Sequence, residues 1–122
     1  MPNAAFLFIT IAIIYGVIGM IVGIMMGVTE AFDYGDLHAH INLLGWASMA
    51  VFGLVYRAYP EMAKSRMTLI HFWVANCGLI VFLVGIYFVL TTGSPALAII
   101  GSLLVLAGMF IFLINFVRHA KA

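Results

Sequence analysis

The sequence predicts an all-α integral membrane protein, a bundle of four transmembrane helices. Hydrophobic residues make up 66% of the 122 positions and charged residues only 7%, whereas a soluble domain carries about 25% charged residues. Four apolar segments lie at approximately 4–28, 38–58, 68–91 and 95–117. Each is long enough to cross a bilayer core, which takes roughly 20 helical residues. Residues 1–122 are therefore expected to form a single four-helix transmembrane domain.

The residues between the segments support these boundaries. Asp33, Gly35 and Asp36 separate the first segment from the second, and Pro60 ends the second. The pair Ser94–Pro95 supplies a cap and a first-turn proline for the fourth helix. The first segment has no basic n-region and exceeds the roughly 7–15 residue apolar core of a signal peptide, so we expect it to be retained.

The basic residues predict how the helices are oriented. They lie in two places: Arg57, Lys64 and Arg66 between helices 2 and 3, and Arg118 and Lys121 after helix 4. Because Lys and Arg concentrate in cytoplasmic loops, both termini are expected to be cytoplasmic, in a bacterial or archaeal inner or plasma membrane. The loop that carries Glu30, Asp33 and Asp36 then faces outward, close to the outer ends of helices 1 and 2.

Charge and cysteine content argue against two classes of function. The net charge is +1, and no basic stripe of the kind that follows nucleic-acid phosphates is present. Cys77 is the only cysteine, which excludes a disulfide framework and a paired-cysteine metal site. It is expected to be a small packing residue.

Glycines recur at intervals that are typical of helix packing. They are Gly19, Gly23 and Gly27 in helix 1, with Gly16 nearby, Gly78 and Gly85 in helix 3, and Gly101 and Gly108 in helix 4. Spacings of four and seven keep small residues on one helix face, where another backbone can approach closely. Glycine is also generally frequent in membrane helices, but we favour the interpretation as packing faces.

Two histidines open the second segment in the run HAHINLLGW, residues 38 to 46. Imidazoles within membrane segments usually face a protein interior and often serve a proton, a ligand or a metal. Residues two apart on an α-helix are separated by about 200° around the axis, so His38 and His40 cannot bind one metal ion together. Either each serves a different cofactor site, or both simply bond water and carbonyl groups near the membrane surface.

The surrounding residues carry a family resemblance. LHAHINLLGWASMAVFGLVYRAYPEM, residues 37–62, resembles the haem-ligating helix of heme-copper oxidase catalytic subunits, especially the nitric oxide reductase and cbb3-type branches. The first histidine of that family's pair holds the high-spin haem and the second holds the low-spin haem, so by position His38 matches the first and His40 the second. The run from His40 to Leu44 also resembles the second helix of nitric oxide reductases. Residues 70–78, IHFWVANCG, resemble the His-Phe-Trp start of the family's eleventh helix.

The resemblance implies an oligomer and a cofactor. Family subunits have about twelve helices in three arcs of four, whereas this chain supplies one arc, which a homotrimer would complete by closed cyclic symmetry. It implies non-covalent haem b between protomers, with His38 of one chain and His40 of its neighbour as iron ligands. No C-x-x-C-H sequence for covalent attachment is present. The implied activity is electron transfer or redox chemistry on nitric oxide or oxygen, with an unidentified electron donor.

Other family features are missing from the sequence. The family's copper ion is bound by histidines on two further helices, and the outer arginine pair that neutralises haem propionates has no counterpart here. Copper therefore lacks support from the ligand count. His71 is expected about 25 Å from the histidine pair along the helix, at 1.5 Å per residue, and is interpreted with Trp73 as a packing residue near the inner surface. His119 is expected to be solvated. The alternative function is a cofactor-free structural or assembly subunit of a larger membrane complex.

Overall fold

Four long helices dominate the computed structural model, which describes residues 1–120. They are helix 1 (Ala4–Thr29), helix 2 (Phe32–Ala58), helix 3 (Arg66–Thr92) and helix 4 (Ala96–His119), all long and apolar enough to span a membrane. A short helix, Pro60–Lys64, connects helices 2 and 3, and the described residues contain no strand. The predicted all-α architecture with four membrane-length helices is confirmed. That these helices form one arc of a heme-copper oxidase fold stays a prediction.

Helix 2 begins earlier than the sequence suggested. The chain leaves helix 1 at Glu30, which has a left-handed φ of 55°. A 3₁₀ turn at Phe32–Tyr34 then leads directly into the α-helical residues Gly35–His40. Asp33 and Asp36 thus lie in the first turns of helix 2 instead of separating it from helix 1. Carboxylates are favoured there because the helix N-terminus carries a positive partial charge.

A π-helical stretch interrupts helix 2 directly after the histidine pair. It covers Ile41–Ser48, and α-helix resumes over Met49–Ala58. Within it, the Ser48 hydroxyl donates a hydrogen bond to the carbonyl of Leu43, 2.9 Å away and five residues back. π-Helical turns are rare and occur frequently at functional sites. The stretch was not predicted, because an apolar segment signals a helix without revealing how tightly it winds.

The helices pack as two antiparallel hairpins, helix 1 along helix 2 and helix 3 along helix 4. Helices 3 and 4 approach so closely that a Cβ on Gly101 would overlap the backbone of Phe82, and one on Gly85 would overlap the backbone of Ala98. Gly78 is also buried in this contact. The predicted glycine faces of helices 3 and 4 are therefore confirmed as packing faces.

The two hairpins meet in an aromatic core near the end of the bundle that carries Arg57 and Arg118, which we call the basic end. The core consists of the rings of Phe8, Phe52, Tyr56, His71 and Phe112, with neighbouring centroids 4.6–5.9 Å apart. Its members come from all four helices, so it fixes the two hairpins against each other. The opposite end, which carries His38 and His40, is called the histidine end.

Candidate cofactor-binding site at the histidine end

His38 and His40 leave helix 2 towards different neighbours. The ring of His38 lies on helix 1, where a Cβ on Gly23 would come within 2.8 Å of the imidazole Cε1. The ring of His40 makes an edge contact with Phe82 of helix 3, with centroids 5.1 Å apart and an interplanar angle of 85°. This agrees with the separation expected for positions two apart on an α-helix. The two imidazoles of one chain do not converge on a common point.

His40 is held in one tautomer by its own helix. Its Nδ1 lies 2.7 Å from the backbone carbonyl oxygen of Asp36. A carbonyl oxygen can only accept, so Nδ1 carries the proton and donates it. In the neutral ring, the lone pair then sits on Nε2. Donation from one ring nitrogen to a carbonyl is the arrangement that metal-ligating histidines commonly show, because it fixes the ring and increases ligand basicity.

His38 is arranged differently. The side-chain amide nitrogen of Asn42 donates to the His38 carbonyl oxygen at 2.9 Å and lies 3.3 Å from His38 Nδ1. Because that nitrogen is a donor, Nδ1 of neutral His38 acts as the acceptor and the ring proton sits on Nε2. His38 could offer Nε2 to a metal only after moving this proton to Nδ1 and giving up the long contact with Asn42. The two histidines are therefore not equivalent, and only His40 is already arranged as a ligand.

Helix 1 forms a cradle of glycines for one face of helix 2. The pairs are Gly23 with His38, Gly19 with Asn42 and Gly16 with Trp46, where an added Cβ would lie 2.8, 2.5 and 3.2 Å from the nearest side-chain atom. The expected packing role of these three glycines is confirmed, but they receive side chains of helix 2 in the same chain. Gly27 has no atom within 4 Å of such a Cβ. The cradle therefore holds the ring of His38 against Gly23 of helix 1.

The surroundings of the pair are partly open and lack cations. His38 and His40 are both half-buried, and every Arg and Lys among residues 1–120 lies towards the basic end. An open cavity of about 360 Å³ lies nearby, lined mainly by apolar side chains of helices 1 and 2 and by Tyr87. Within the described part of the chain, no group of three or more His, Cys, Asp or Glu side chains is placed to hold a metal ion. The histidine end therefore presents two separate imidazoles, and the described residues place no set of three or more ligands around one point.

The other two histidines lie at the basic end. His71 is fully buried within the aromatic core, while Trp73 is 60% exposed, so only His71 packs in the interior of the bundle. His119 is half-buried, and its Nδ1 donates to the side-chain oxygen of Asn115 at 2.9 Å, a contact that the expectation of a solvated residue did not include. The i, i+4 spacing of Asn115 and His119 was the sequence signal for this contact.

A buried polar cluster was missed by the sequence analysis. Tyr56, Thr68, His71 and Asn115 are each no more than 1% exposed, and hydrogen bonds connect them across helices 2, 3 and 4. Polar residues within the apolar segments were the available signal, since such groups need partners inside a membrane.

In comparisons with known proteins, no family model, curated protein or solved structure matches the chain.

Proposed function

We propose that this protein is a membrane haem protein that binds haem b non-covalently through His38 and His40, as a homotrimer, for electron transfer or redox chemistry on nitric oxide or oxygen. The observation that carries the proposal is the hydrogen bond from His40 Nδ1 to the Asp36 carbonyl, 2.7 Å long. It prepares the Nε2 lone pair that an axial iron ligand needs.

The different directions of the two rings support a site shared between chains. His38 contacts helix 1 and His40 contacts helix 3, so the two imidazoles of one chain would not hold the same iron. A second chain would have to provide the other ligand, or one axial position would stay open for a gas molecule. Haem supplies one-electron chemistry when it is bound. The chain supplies the ligand, the carbonyl that fixes the ring, and apolar surroundings that influence the potential.

A cofactor-free structural or assembly subunit is the second candidate. Two observations favour it. His38 is engaged by Asn42 and the Gly23 face of helix 1, and the described residues place no cation near the histidine pair to neutralise haem propionates. In this case the exposed apolar faces of the helices would pack against other membrane subunits.

Haem content separates the two functions. Protein produced with ample haem is expected to show a Soret band and a b-type pyridine haemochrome spectrum. Because His40 is prearranged, His40→Ala is expected to lose the haem, and His38→Ala is expected to lose the bis-histidine spectrum.

His119→Ala removes an imidazole at the basic end and serves as the matched control, with unchanged haem content expected. Unchanged haem in both His38→Ala and His40→Ala would contradict the ligand assignment, and folded wild-type protein without a Soret band would favour the subunit role.

A further inference from the structure

A groove of about 640 Å³ opens at the basic end of the bundle. It lies between the start of helix 1, the last turn of helix 2 and the short helix Pro60–Lys64. Its walls combine apolar side chains, among them Ala5, Pro60 and Ala63, with the cationic side chains of Arg57 and Lys64. A surface of this kind offers both an apolar wall and positive charge to one ligand.

The charge of the groove follows from the separation of charges along the bundle. Among residues 1–120, three of the four carboxylates lie between positions 30 and 36 at the histidine end, and Glu61 is the fourth. Glu61 pairs with Lys64, and this is the one ion pair within residues 1–120. No described carboxylate therefore neutralises Arg57, whose exposed guanidinium lines the groove.

The position of the groove indicates where its ligand comes from. Arg57 is the second-last residue of helix 2, directly after a membrane-length apolar stretch. A long basic side chain at that place reaches the headgroup layer of a bilayer while its methylene stem stays in the apolar region. In a bilayer, lipid phosphate groups are therefore expected near the guanidinium. Ala5, whose carbonyl lies against Gly53 one turn before Arg57, is expected beside the start of an acyl chain.

We propose that this groove binds an anionic phospholipid, with Arg57 as the phosphate ligand, because Lys64 is already paired with Glu61. A guanidinium presents parallel N–H donors that match two phosphate oxygens, and basic pockets between membrane helices are suited to phospholipid headgroups. A free phosphate ion shares the anionic chemistry. The lipid is favoured because the apolar wall formed by Ala5, Pro60 and Ala63 has no role in binding an inorganic ion. This site is independent of haem binding at the histidine end.

Native mass spectrometry with added phosphatidylglycerol tests the proposal on the purified protein. We expect retention of phosphatidylglycerol over phosphatidylcholine, and an apparent affinity about tenfold weaker for Arg57→Gln, the loss expected for one charge-assisted hydrogen-bonding partner. Arg118→Gln removes the same charge from the same end outside the groove and is expected to bind as the wild type does. Because Arg57 is exposed and has no ion-pair partner among the described residues, Arg57→Gln is expected to fold normally, which a melting curve without added lipid checks.

Two results would overturn the site. The first is that Arg57→Gln and Arg118→Gln weaken the affinity for phosphatidylglycerol equally, which would indicate general attraction to the basic surface. The second is that Arg57→Gln binds phosphatidylglycerol with wild-type affinity. Glycerol 3-phosphate, which has the phosphate ester without acyl chains, is expected to give no thermal stabilisation at concentrations where phosphatidylglycerol does. Stabilisation by it to the same extent as by the lipid would overturn the assignment to a lipid.

Discussion

The hydroxyl group of Tyr56 lies 2.9 Å from Nδ1 of His71, with both side chains buried. The direction of this hydrogen bond follows from its neighbours. His119 Nδ1 donates to the side-chain oxygen of Asn115, so the amide nitrogen of Asn115 points towards Thr68 and Tyr56, at 3.0 and 3.5 Å. The Tyr56 oxygen accepts this bond, and its proton is then donated to His71.

This direction leaves one buried donor without a partner. If Nδ1 of neutral His71 accepts from Tyr56, its ring proton sits on Nε2, and no hydrogen-bond partner for Nε2 is present within residues 1–120. The ring is enclosed by Phe8, Phe52 and Phe112. The Tyr56–His71 bond thus joins helix 2 to helix 3 in an apolar environment, where losing one partner is costly.

A double-mutant cycle measures this bond. Tyr56→Phe is expected to destabilise the protein by about 1–3 kcal/mol, because it leaves the buried Nδ1 of His71 unpaired. His71→Phe leaves the Tyr56 hydroxyl group unpaired but also removes the unpaired Nε2–H of His71, so its loss is expected to be smaller. The double variant has neither the Tyr56 hydroxyl group nor the His71 imidazole, so its loss of stability is expected to be smaller than the sum of the two single losses.

Unfolding in mixed micelles with increasing denaturing detergent gives the free energies of unfolding. Tyr87→Phe, at an exposed tyrosine of helix 3, is the control and is expected to stay within about 0.5 kcal/mol of wild type. Additive losses would contradict the inferred bond.

Replacing glycine by alanine is expected to change the free energy of unfolding in opposite directions at two positions, because only one of them lies against another helix. A Cβ on Gly101 would overlap the backbone of Phe82, whereas a Cβ on Gly27 meets nothing within 4 Å. Gly101→Ala is therefore expected to push helices 3 and 4 apart and to cost about 1–3 kcal/mol. Gly27→Ala is expected to stabilise helix 1 by about 0.5–1 kcal/mol, because alanine loses less conformational freedom. The same micelle unfolding measures both, and a loss of similar size in both variants would argue against the close approach of helices 3 and 4.

Helices 1 and 3 end in the same left-handed backbone conformation, but the residue that adopts it differs between them. Each is followed by a residue with left-handed φ, Glu30 at 55° and Gly93 at 74°. Glycine adopts this conformation without steric cost and glutamate does not. Glu30→Gly is expected to raise the free energy of unfolding by a few tenths to about 1 kcal/mol, and Gly93→Ala is expected to lower it by about 1 kcal/mol. Thermal melts of the two variants check this, and changes of the same sign would contradict it.

Much of the fold could be predicted from local sequence features, whereas the pairing of residues could not. The number of long helices follows from apolar segments, and the placement of glycines at positions 78, 85, 101 and 108 on packing faces follows from their spacing. The π-helical stretch and the early start of helix 2 depend on how helix 2 winds and fits against helix 1, which composition does not encode. Likewise, the difference between His38 and His40 comes from Asn42 and the Asp36 carbonyl. Such hydrogen bonds become visible only when the helix geometry is known.

The orientation in the membrane can be tested at the turn between helices 3 and 4. Cys77, expected to be a packing residue, is exposed and must be replaced first, by serine. A cysteine introduced at the exposed Ser94 is then expected to react with an impermeant maleimide from outside intact cells, because the basic residues predict that the histidine end faces outward. Of these basic residues, Lys121 lies outside the described part of the chain. A cysteine at the exposed Arg118 is the control and is expected to react only after the cells are opened. The reverse labelling pattern would invert the topology.

The proposed homotrimer makes a specific prediction for mixed protomers. If every haem takes His38 from one chain and His40 from a neighbour, His38→Ala protein and His40→Ala protein each have no complete bis-histidine site. After subunit exchange in equal amounts, a site is complete only where an intact His38 meets an intact His40. Random assembly in a closed ring predicts this at roughly a quarter of the sites.

Absorption spectra of the exchanged mixture measure the recovered bis-histidine haem, and native mass spectrometry counts chains and haems together. His119→Ala mixed with either variant is the control, since it contributes both site histidines. A haem-loaded monomer would rule this arrangement out, as would exchanged trimers without any recovered bis-histidine spectrum.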